Sequence, residues 1–299
     1  VAATTVDAVV VGGGPAGLSA AGWLGRYRRS VLIVDSEEYR NAAVDLAHGY
    51  LGCDPTPPSE LRQRGAEEVL RYPTVTLEYG RVEAVAGTTG RFEVSLGGGR
   101  VVTAKRLVLA TGVRDRLPEL DGFFEHYGAD VFHCASCDGY EAKGRDVVVL
   151  GWGGHVAGFA LGLLTWAKSI TVVTDGHGFE AAADERRRLV DHGVQVIEDG
   201  AVGLVGRRRH LEGVRLAGGT TIACDLAFFS IGHEPNHGLA AALGADLTDE
   251  GCVAADRDGV TSVPGLFAAG DLTPGVQLIA NAVAKGASAG IACAQSLVD

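Results

Sequence analysis

Apolar runs that stop at glycine are the first pattern in this chain. Val9-Val10-Val11 ends at Gly12, an Ala/Leu-rich stretch of helical spacing follows, and Val31-Leu32-Ile33-Val34-Asp35 reads as a second strand. The pattern predicts a β-turn-α-β unit. It recurs in the second half, where Val148-Val149-Leu150 meets Gly151, a helix is expected through Ala167, and Ile170-Thr171-Val172-Val173-Thr174 follows. Each unit continues into short strands, expected at 91–96 and 101–109 in the first half and at 210–216 and 221–230 in the second. Each set ends at a glycine turn, Thr111-Gly112 or Ile231-Gly232. The tail holds a strand at 266–269, then Gly270-Asp271, then a helix expected from about 277 to 297, with no β-turn-α-β unit of its own.

Duplication of one plan predicts an α/β fold: two Rossmann-like three-layer ββα domains, the second inserted in the first. Residues 1–114 and 234–299 would form a discontinuous first domain, and residues 115–233 the inserted one. Residues 36–74 are an excursion rich in Pro, Gly and Arg, for which the second copy has only a short helix. Extra chain beside a nucleotide site commonly covers the ligand. Arg40, Asn41 and His48 within it are candidates to contact a cofactor, and ordinary loop roles suit them equally.

Composition narrows the class. The 299 residues suffice for two domains with their own cores. A formal charge of -11 argues against nucleic acid, which demands basic surface. The arginine runs at 186–188 and 207–209 read as solvated helix and turn faces. Six cysteines, at 53, 134, 137, 224, 252 and 293, are too sparse for a disulfide framework and suit a reducing cytoplasm. Residues 1–11 read as a strand rather than an export leader. Residues 147–167 carry no Asp, Glu, Lys or Arg, yet the turn Gly151-Trp152-Gly153-Gly154 interrupts them, so no membrane span is expected.

Chemistry concentrates in His133-Cys134-Ala135-Ser136-Cys137-Asp138-Gly139-Tyr140. On one helical turn, residues three apart come within disulfide geometry, and a cysteine at a helix N-terminus has its thiolate favoured. Cys134 and Cys137 can therefore cycle between dithiol and disulfide, with Asp138 placed to move a proton. A zinc half-site is the competing reading, but zinc wants four ligands, no second CxxC exists, and Cys224 and Cys252 stand alone. No metal is expected. Cys53, Cys224, Cys252 and Cys293 read as packed thiols, Trp152, Phe159 and Trp166 as core or interface aromatics, and His155 as a turn or helix-start residue.

Gly12-x-Gly14-x-x-Gly17 follows a strand and opens a helix, with Asp35 at the end of the next strand, where it can accept from a ribose hydroxyl. A dinucleotide is expected there. The later turn Ala269-Gly270-Asp271 favours FAD: Asp271 can bind the ribityl chain or phosphate region and Gln277 can meet the flavin ring, a plain N-cap role for Asp271 being the alternative. FAD also suits a neighbouring dithiol, since a flavin carries two electrons and a side chain does not. The second copy is degraded. Val156 stands where Gly17 does, Thr174 where Asp35 does, and no arginine lies within 175–180 to receive a 2′-phosphate, although Asp175 could still grip a ribose. NADPH is disfavoured, leaving either NADH or weak NADPH use, or a scaffold without nicotinamide cofactor.

Together these residues resemble the low-molecular-weight thioredoxin reductases across essentially the whole chain. The matching landmarks are Gly12-Gly13-Gly14-Pro15-Ala16-Gly17, Ala110-Thr111-Gly112, Cys134-Ala135-Ser136-Cys137-Asp138-Gly139, Ile231-Gly232-His233-Glu234-Pro235-Asn236 and Ala268-Ala269-Gly270-Asp271. The resemblance implies a homodimer and FAD, for which the expected binding residues are Gly12, Gly14, Pro15, Ala16, Gly17, Asp35, Arg40, Asn41, Thr111, Gly112, Gly270, Asp271 and Gln277. It also implies that Cys137 faces the flavin, Cys134 attacks the disulfide of a partner, Asp138 is the acid/base, and hinges lie at 113–118 and 232–235.

Family members that use NADPH carry a complete second GxGxxA turn and a His-Arg-Arg cluster; this chain has Thr174-Asp175-Gly176-His177 at the latter. It resembles the branches that lost NADPH: flavin thioredoxin reductases fed by ferredoxin, and dithiol oxidases that close a disulfide in a small molecule and pass electrons to oxygen. Oxidases often place His after the second Cys, where Asp138 stands, which favours disulfide reduction of a thioredoxin-like protein or a small disulfide. The remaining alternatives are the oxidase and a non-enzymatic flavoprotein that keeps the fold as a sensor.

Overall fold

The computed structural model describes residues 4–298, so the first three positions of the expected opening strand lie outside the described residues. In chain order the first elements are β1 (Thr4–Val11), α1 (Pro15–Arg26), β2 (Val31–Asp35), α2 (Pro58–Val69), β3 (Val75–Tyr79), β4 (Val82–Thr88), β5 (Arg91–Leu96), β6 (Arg100–Leu109) and β7 (Val113–Asp115). Next come α3 (Phe123–His126), β8 (Val131–Phe132), α4 (Ala135–Asp138), β9 (Asp146–Leu150), α5 (His155–Leu163), β10 (Ser169–Val173), α6 (Ala183–Asp191), β11 (Gln195–Ile197), β12 (Ala201–Arg207), β13 (His210–Leu216), β14 (Thr221–Ala223) and β15 (Leu226–Phe229). The chain closes with β16 (His233–Pro235), α7 (Gly238–Ala242), β17 (Leu266–Ala268) and α8 (Ile279–Gln295).

These elements form two compact units, one of Val1–Ala42, Gly49–Arg114 and Glu234–Asp299, the other of Ala43–His48 and Asp115–His233. The fold is α/β with the second Rossmann-like unit inserted in the first. In the first unit, β3, β2, β1 and β6 run parallel, β17 joins β6 in parallel, and β5 and β4 extend the sheet antiparallel. All five residues of β2 are buried, as a parallel strand covered on both faces requires. In β5, buried Phe92, Val94 and Leu96 alternate with exposed Arg91 and Glu93, the pattern of a strand with one wet face.

The tail completes this unit through helix packing. A Cβ added at Gly286 would stand 2.1 Å from the Ala16 carbonyl oxygen, and one at Gly290 would stand 2.5 Å from that of Ala20. Only glycine lets α8 approach α1 so closely.

The second unit has a parallel sheet, β11-β10-β9-β15-β8, and an antiparallel ribbon of β12, β13 and β14. The single strand expected at 221–230 is divided: β14, half-exposed, belongs to the ribbon, whereas β15 is buried throughout and lies between β9 and β8. The helix expected through Ala167 ends at Leu163, where the Thr165 and Trp166 N–H groups reach three residues back, to the Gly162 and Leu163 carbonyls, and tighten the last turn. No helix among the described residues is long and apolar enough to cross a membrane.

Candidate active site

The dithiol segment folds as a single helical turn. Cys134 is the N-cap of α4, in extended backbone, and the N–H groups of Cys137 and Asp138 both reach its carbonyl oxygen, at 3.2 and 3.0 Å. This brings the Cα atoms of Cys134 and Cys137 to 5.2 Å, and their sulfurs are bonded at 2.03 Å. The Cys137 N–H also donates to Sγ of Cys134 at 3.1 Å. When the bond opens, that donor favours negative charge on Cys134.

Asp138 ends the turn and is buried. Burial pushes its carboxyl up to about 7, the negative charge of Glu141 adds to the rise, and His48 opposes it. A carboxyl that titrates there can both give and take a proton near neutrality. Gly139 lies behind it against the Trp166 ring, where an added Cβ would come within 2.6 Å. Trp166 and Phe159 accordingly pack on the core of this unit.

Cys224, Cys252 and Cys293 are buried, whereas Cys53 is only partly covered. Burial raises the Cys224 and Cys293 thiols to about 12, which keeps them protonated and inert.

In the first unit, the first glycine turn is shaped for close approach. Gly12 has φ 106°, and an added Cβ would fall 2.4 Å from the Ala110 carbonyl oxygen. At Gly17 an added Cβ would stand 1.8 Å from the Gly12 carbonyl oxygen, so the third glycine closes α1 onto β1. Gly14 differs: nothing described lies within 4 Å of its missing Cβ, and as N-cap of α1 it supplies no side-chain cap. Pro15 at the helix start lacks an N–H, so the N–H groups of Ala16 and Gly17 lead the open end of a 12-residue helix. That open cradle fits the pyrophosphate of FAD.

The other expected cofactor residues take definite partners. Asp35 is buried, accepts the Tyr39 hydroxyl and, at 3.3 Å, the Glu37 N–H. Burial and the adjoining Asp35 carboxylate push the Tyr39 phenol well above its ordinary range. Arg62 covers the Tyr39 ring at 3.8 Å and donates to Asn41 Oδ1 at 3.1 Å. Arg40 donates to Asp271 Oδ2 at 3.2 Å and to Gln277 Oε1 at 2.7 Å, gathering three of the expected residues at one guanidinium. Asp271 sits in the short turn Gly270–Leu272 and does not cap α8, whose N-cap is Leu278. Thr111 and Asn236 are locked by two bonds: Thr111 Oγ1 donates to the Asn236 carbonyl at 2.9 Å, and Asn236 Nδ2 to the Thr111 carbonyl at 2.8 Å. Gly112, at φ 63°, accepts from the Asn236 N–H at 3.0 Å.

The second glycine turn is lined by bulky side chains. Val156 is fully buried, and its Cγ2 would lie 2.8 Å from a Cβ on Gly151. Trp152 stacks on His177, with ring centroids 4.0 Å apart. Asp175, at φ 54°, spends Oδ1 on the Ala201 N–H at 3.0 Å, and buried Thr174 donates to the His177 carbonyl.

Sequence reasoning missed the strap at 43–48, which packs in the second unit. Asp45 Oδ1 meets Arg208 at 2.7 Å and Oδ2 meets Arg209 at 2.9 Å. Arg208 also donates to the carbonyls of Glu125 and Tyr127, so this run, largely solvent-exposed as expected, also clamps the strap. Arg186 likewise donates to the Phe179 and Ala181 carbonyls. His48, a candidate for cofactor contact, lies 3.5 Å from Glu141. The acidic residue four places after Cys137 was a visible signal; its histidine partner was not.

Comparison with known proteins agrees with this geometry. The pyridine nucleotide-disulphide oxidoreductase family matches residues 6–286. Thioredoxin reductase tcpT of Claviceps purpurea (strain 20.1) is 31% identical, over 98% of this chain and 95% of its own length. The crystal structure of an oxidoreductase from Agrobacterium tumefaciens is 35% identical with a TM-score of 0.89, covering 99% of each chain. That of thioredoxin reductase from Streptococcus pyogenes MGAS5005 is 26% identical with a TM-score of 0.93, covering 98% of each. The chain therefore belongs to the pyridine nucleotide-disulphide oxidoreductase family, as a flavin-dependent enzyme of the thioredoxin reductase type.

Proposed function

We propose that this protein is a dithiol/disulfide oxidoreductase in which Cys134 and Cys137 pass two electrons between FAD and a disulfide partner. The observation that carries the reading is the closed Cys134–Cys137 pair on one turn, with the buried Asp138 carboxyl directly behind it. Gly12, Gly14, Pro15, Ala16 and Gly17 would hold the pyrophosphate end, and Arg40, Asn41, Asp35, Thr111, Gly112, Gly270, Asp271 and Gln277 the remainder. Bound FAD supplies the two-electron chemistry that no side chain offers.

In the direction of disulfide reduction, the Cys134 thiolate attacks one sulfur of the partner. A Cys134–partner bond forms, the partner's S–S bond breaks, and the departing thiolate takes a proton from Asp138. Asp138 then takes the Cys137 proton, and the resulting thiolate attacks Sγ of Cys134. The Cys134–Cys137 bond re-forms, the second partner thiolate leaves and receives that proton, and two electrons have passed to the partner. A thioredoxin-like protein or a small disulfide meets this chemistry.

The side chains lining the second turn support a route that does not depend on NADPH. Trp152 on His177, Val156 against Gly151 and Asp175 committed to Ala201 all sit where a nicotinamide dinucleotide would need open backbone. Reduced ferredoxin is the proposed donor class, and the protein is taken as a cytoplasmic homodimer, following the family. The same turn favours a second reading, in which a small dithiol gives its electrons to oxygen through Cys134, Cys137 and FAD.

The test is the visible flavin band, followed without oxygen after separate additions of NADPH, NADH, reduced ferredoxin and a dithiol. The reading expects bleaching by ferredoxin and dithiol and none of comparable speed by NADPH; fast bleaching by NADPH overturns the account of the second turn. Oxygen uptake with dithiol alone selects the oxidase.

A further inference from the structure

Glu141 and His48 meet beside the acid of the dithiol turn. His48 Nε2 lies 3.5 Å from Glu141 Oε1. The other oxygen, Oε2, is buried without a hydrogen-bond partner among the described residues. A buried carboxylate oxygen left without a donor is unfavourable, which sets Glu141 apart from an ordinary surface acid. Glu141 stands three residues after Asp138, the N-cap of the short 3₁₀ turn Gly139–Ala142, a spacing at which side chains of such a turn eclipse one another.

His48 is delivered from far away in sequence, at the end of the strap. Asp45 anchors that strap through Arg208 and Arg209, and its N–H donates to the Gly128 carbonyl at 3.0 Å. Gly128 permits the approach: an added Cβ would fall 2.0 Å from the Ala43 carbonyl oxygen. Although burial opposes it, the two arginines hold the Asp45 carboxyl below its ordinary range, so the anchor stays charged through neutrality.

We propose that Glu141 and His48 are positioning residues that set the proton occupancy of Asp138, Glu141 holding the proton on and His48 limiting that hold. The proposal rests on the dithiol mechanism above and concerns the proton that Asp138 gives to the leaving thiolate and regains from Cys137. Glu141 on its own turn and His48 on the strap are the charged groups that bear on Asp138. Removing the anion makes the carboxyl release its proton more readily; removing the histidine does the opposite.

The experiment is single-turnover reduction of the bound flavin by dithiothreitol, from about pH 5 to about pH 9, in the holoprotein and in Glu141→Gln, Glu141→Asp and His48→Gln. Ionisation of dithiothreitol is common to all four and cancels in the comparison. The inflection of the parent protein should move down by about one unit in Glu141→Gln and up in His48→Gln, and return toward the parent value in Glu141→Asp. A structural role would lower rate or flavin content without moving the inflection. An unmoved inflection in the two charge-removing variants overturns the proposal, and if Glu141→Gln does not fold, His48→Gln decides it. Absence of flavin reduction in the parent protein would instead defeat the dithiol mechanism itself.

Discussion

The Trp152 indole lies on the His177 imidazole, with ring centroids 4.0 Å apart and planes 23° from parallel, at the head of the second glycine turn. On the proposed reading, this stack takes the place of the open GxGxxA turn that would receive a pyrophosphate. Calorimetric titration should therefore find no NADPH or NADH binding tighter than about millimolar, on the order of 4 kcal/mol. Micromolar binding to the parent protein contradicts this. Trp152→Ala should leave flavin reduction by dithiol unchanged.

Gly14 and Gly17 separate two roles within one motif. Gly17→Ala forces a Cβ onto the Gly12 carbonyl and should prevent proper folding of the first unit. Gly14→Ala places its methyl in open space, so the chain should fold with a melting temperature near the parent's yet purify with little flavin. Full flavin content in Gly14→Ala would mean that the pyrophosphate lies elsewhere.

Arg40 holds Asp271 and Gln277 with one guanidinium. Charge-assisted bonds of this kind contribute about 1.5–3 kcal/mol each. Arg40→Ala should weaken flavin affinity roughly tenfold to a hundredfold in an equilibrium fluorescence titration, with little change in the rate of dithiol exchange once saturated.

Much of this was legible in the sequence, for physical reasons that particular residues show. The two β-turn-α-β units announce themselves because apolar strands ending at Gly12 and Gly151 are local patterns, and local patterns fix the α/β class. The CxxC turn is equally local. What escaped was set by contacts between distant positions: Asp45 with Arg208 and Arg209, His48 with Glu141, and Trp152 with His177. The boundary between β14 and β15 was also missed, since a continuous polar-to-apolar stretch hides the point where the chain changes sheets. Asp271 shows the same limit: the sequence displays the acid, but only the fold brings Arg40 to it.

Asp138 couples chemistry to stability. Its folded carboxyl is raised to about 7 from the ordinary 3.8, so its contribution is fully present below the unfolded value and is lost as pH rises through the folded one. Asp138→Asn should therefore gain in melting temperature relative to the parent as pH climbs from about 4 to about 8, while losing about 10²–10⁴-fold in thiol–disulfide turnover. A parallel pH dependence of melting in the two proteins would refute the raised carboxyl.

Exchange between the flavin and Cys137 is tested most directly by anaerobic stopped-flow of the parent protein against Cys137→Ser, with the flavin band as the signal and dithiothreitol as the donor. The account predicts rapid bleaching in the parent and loss of nearly all of that rate in the variant, with flavin content unchanged. Bleaching of Cys137→Ser at the parent rate would contradict it.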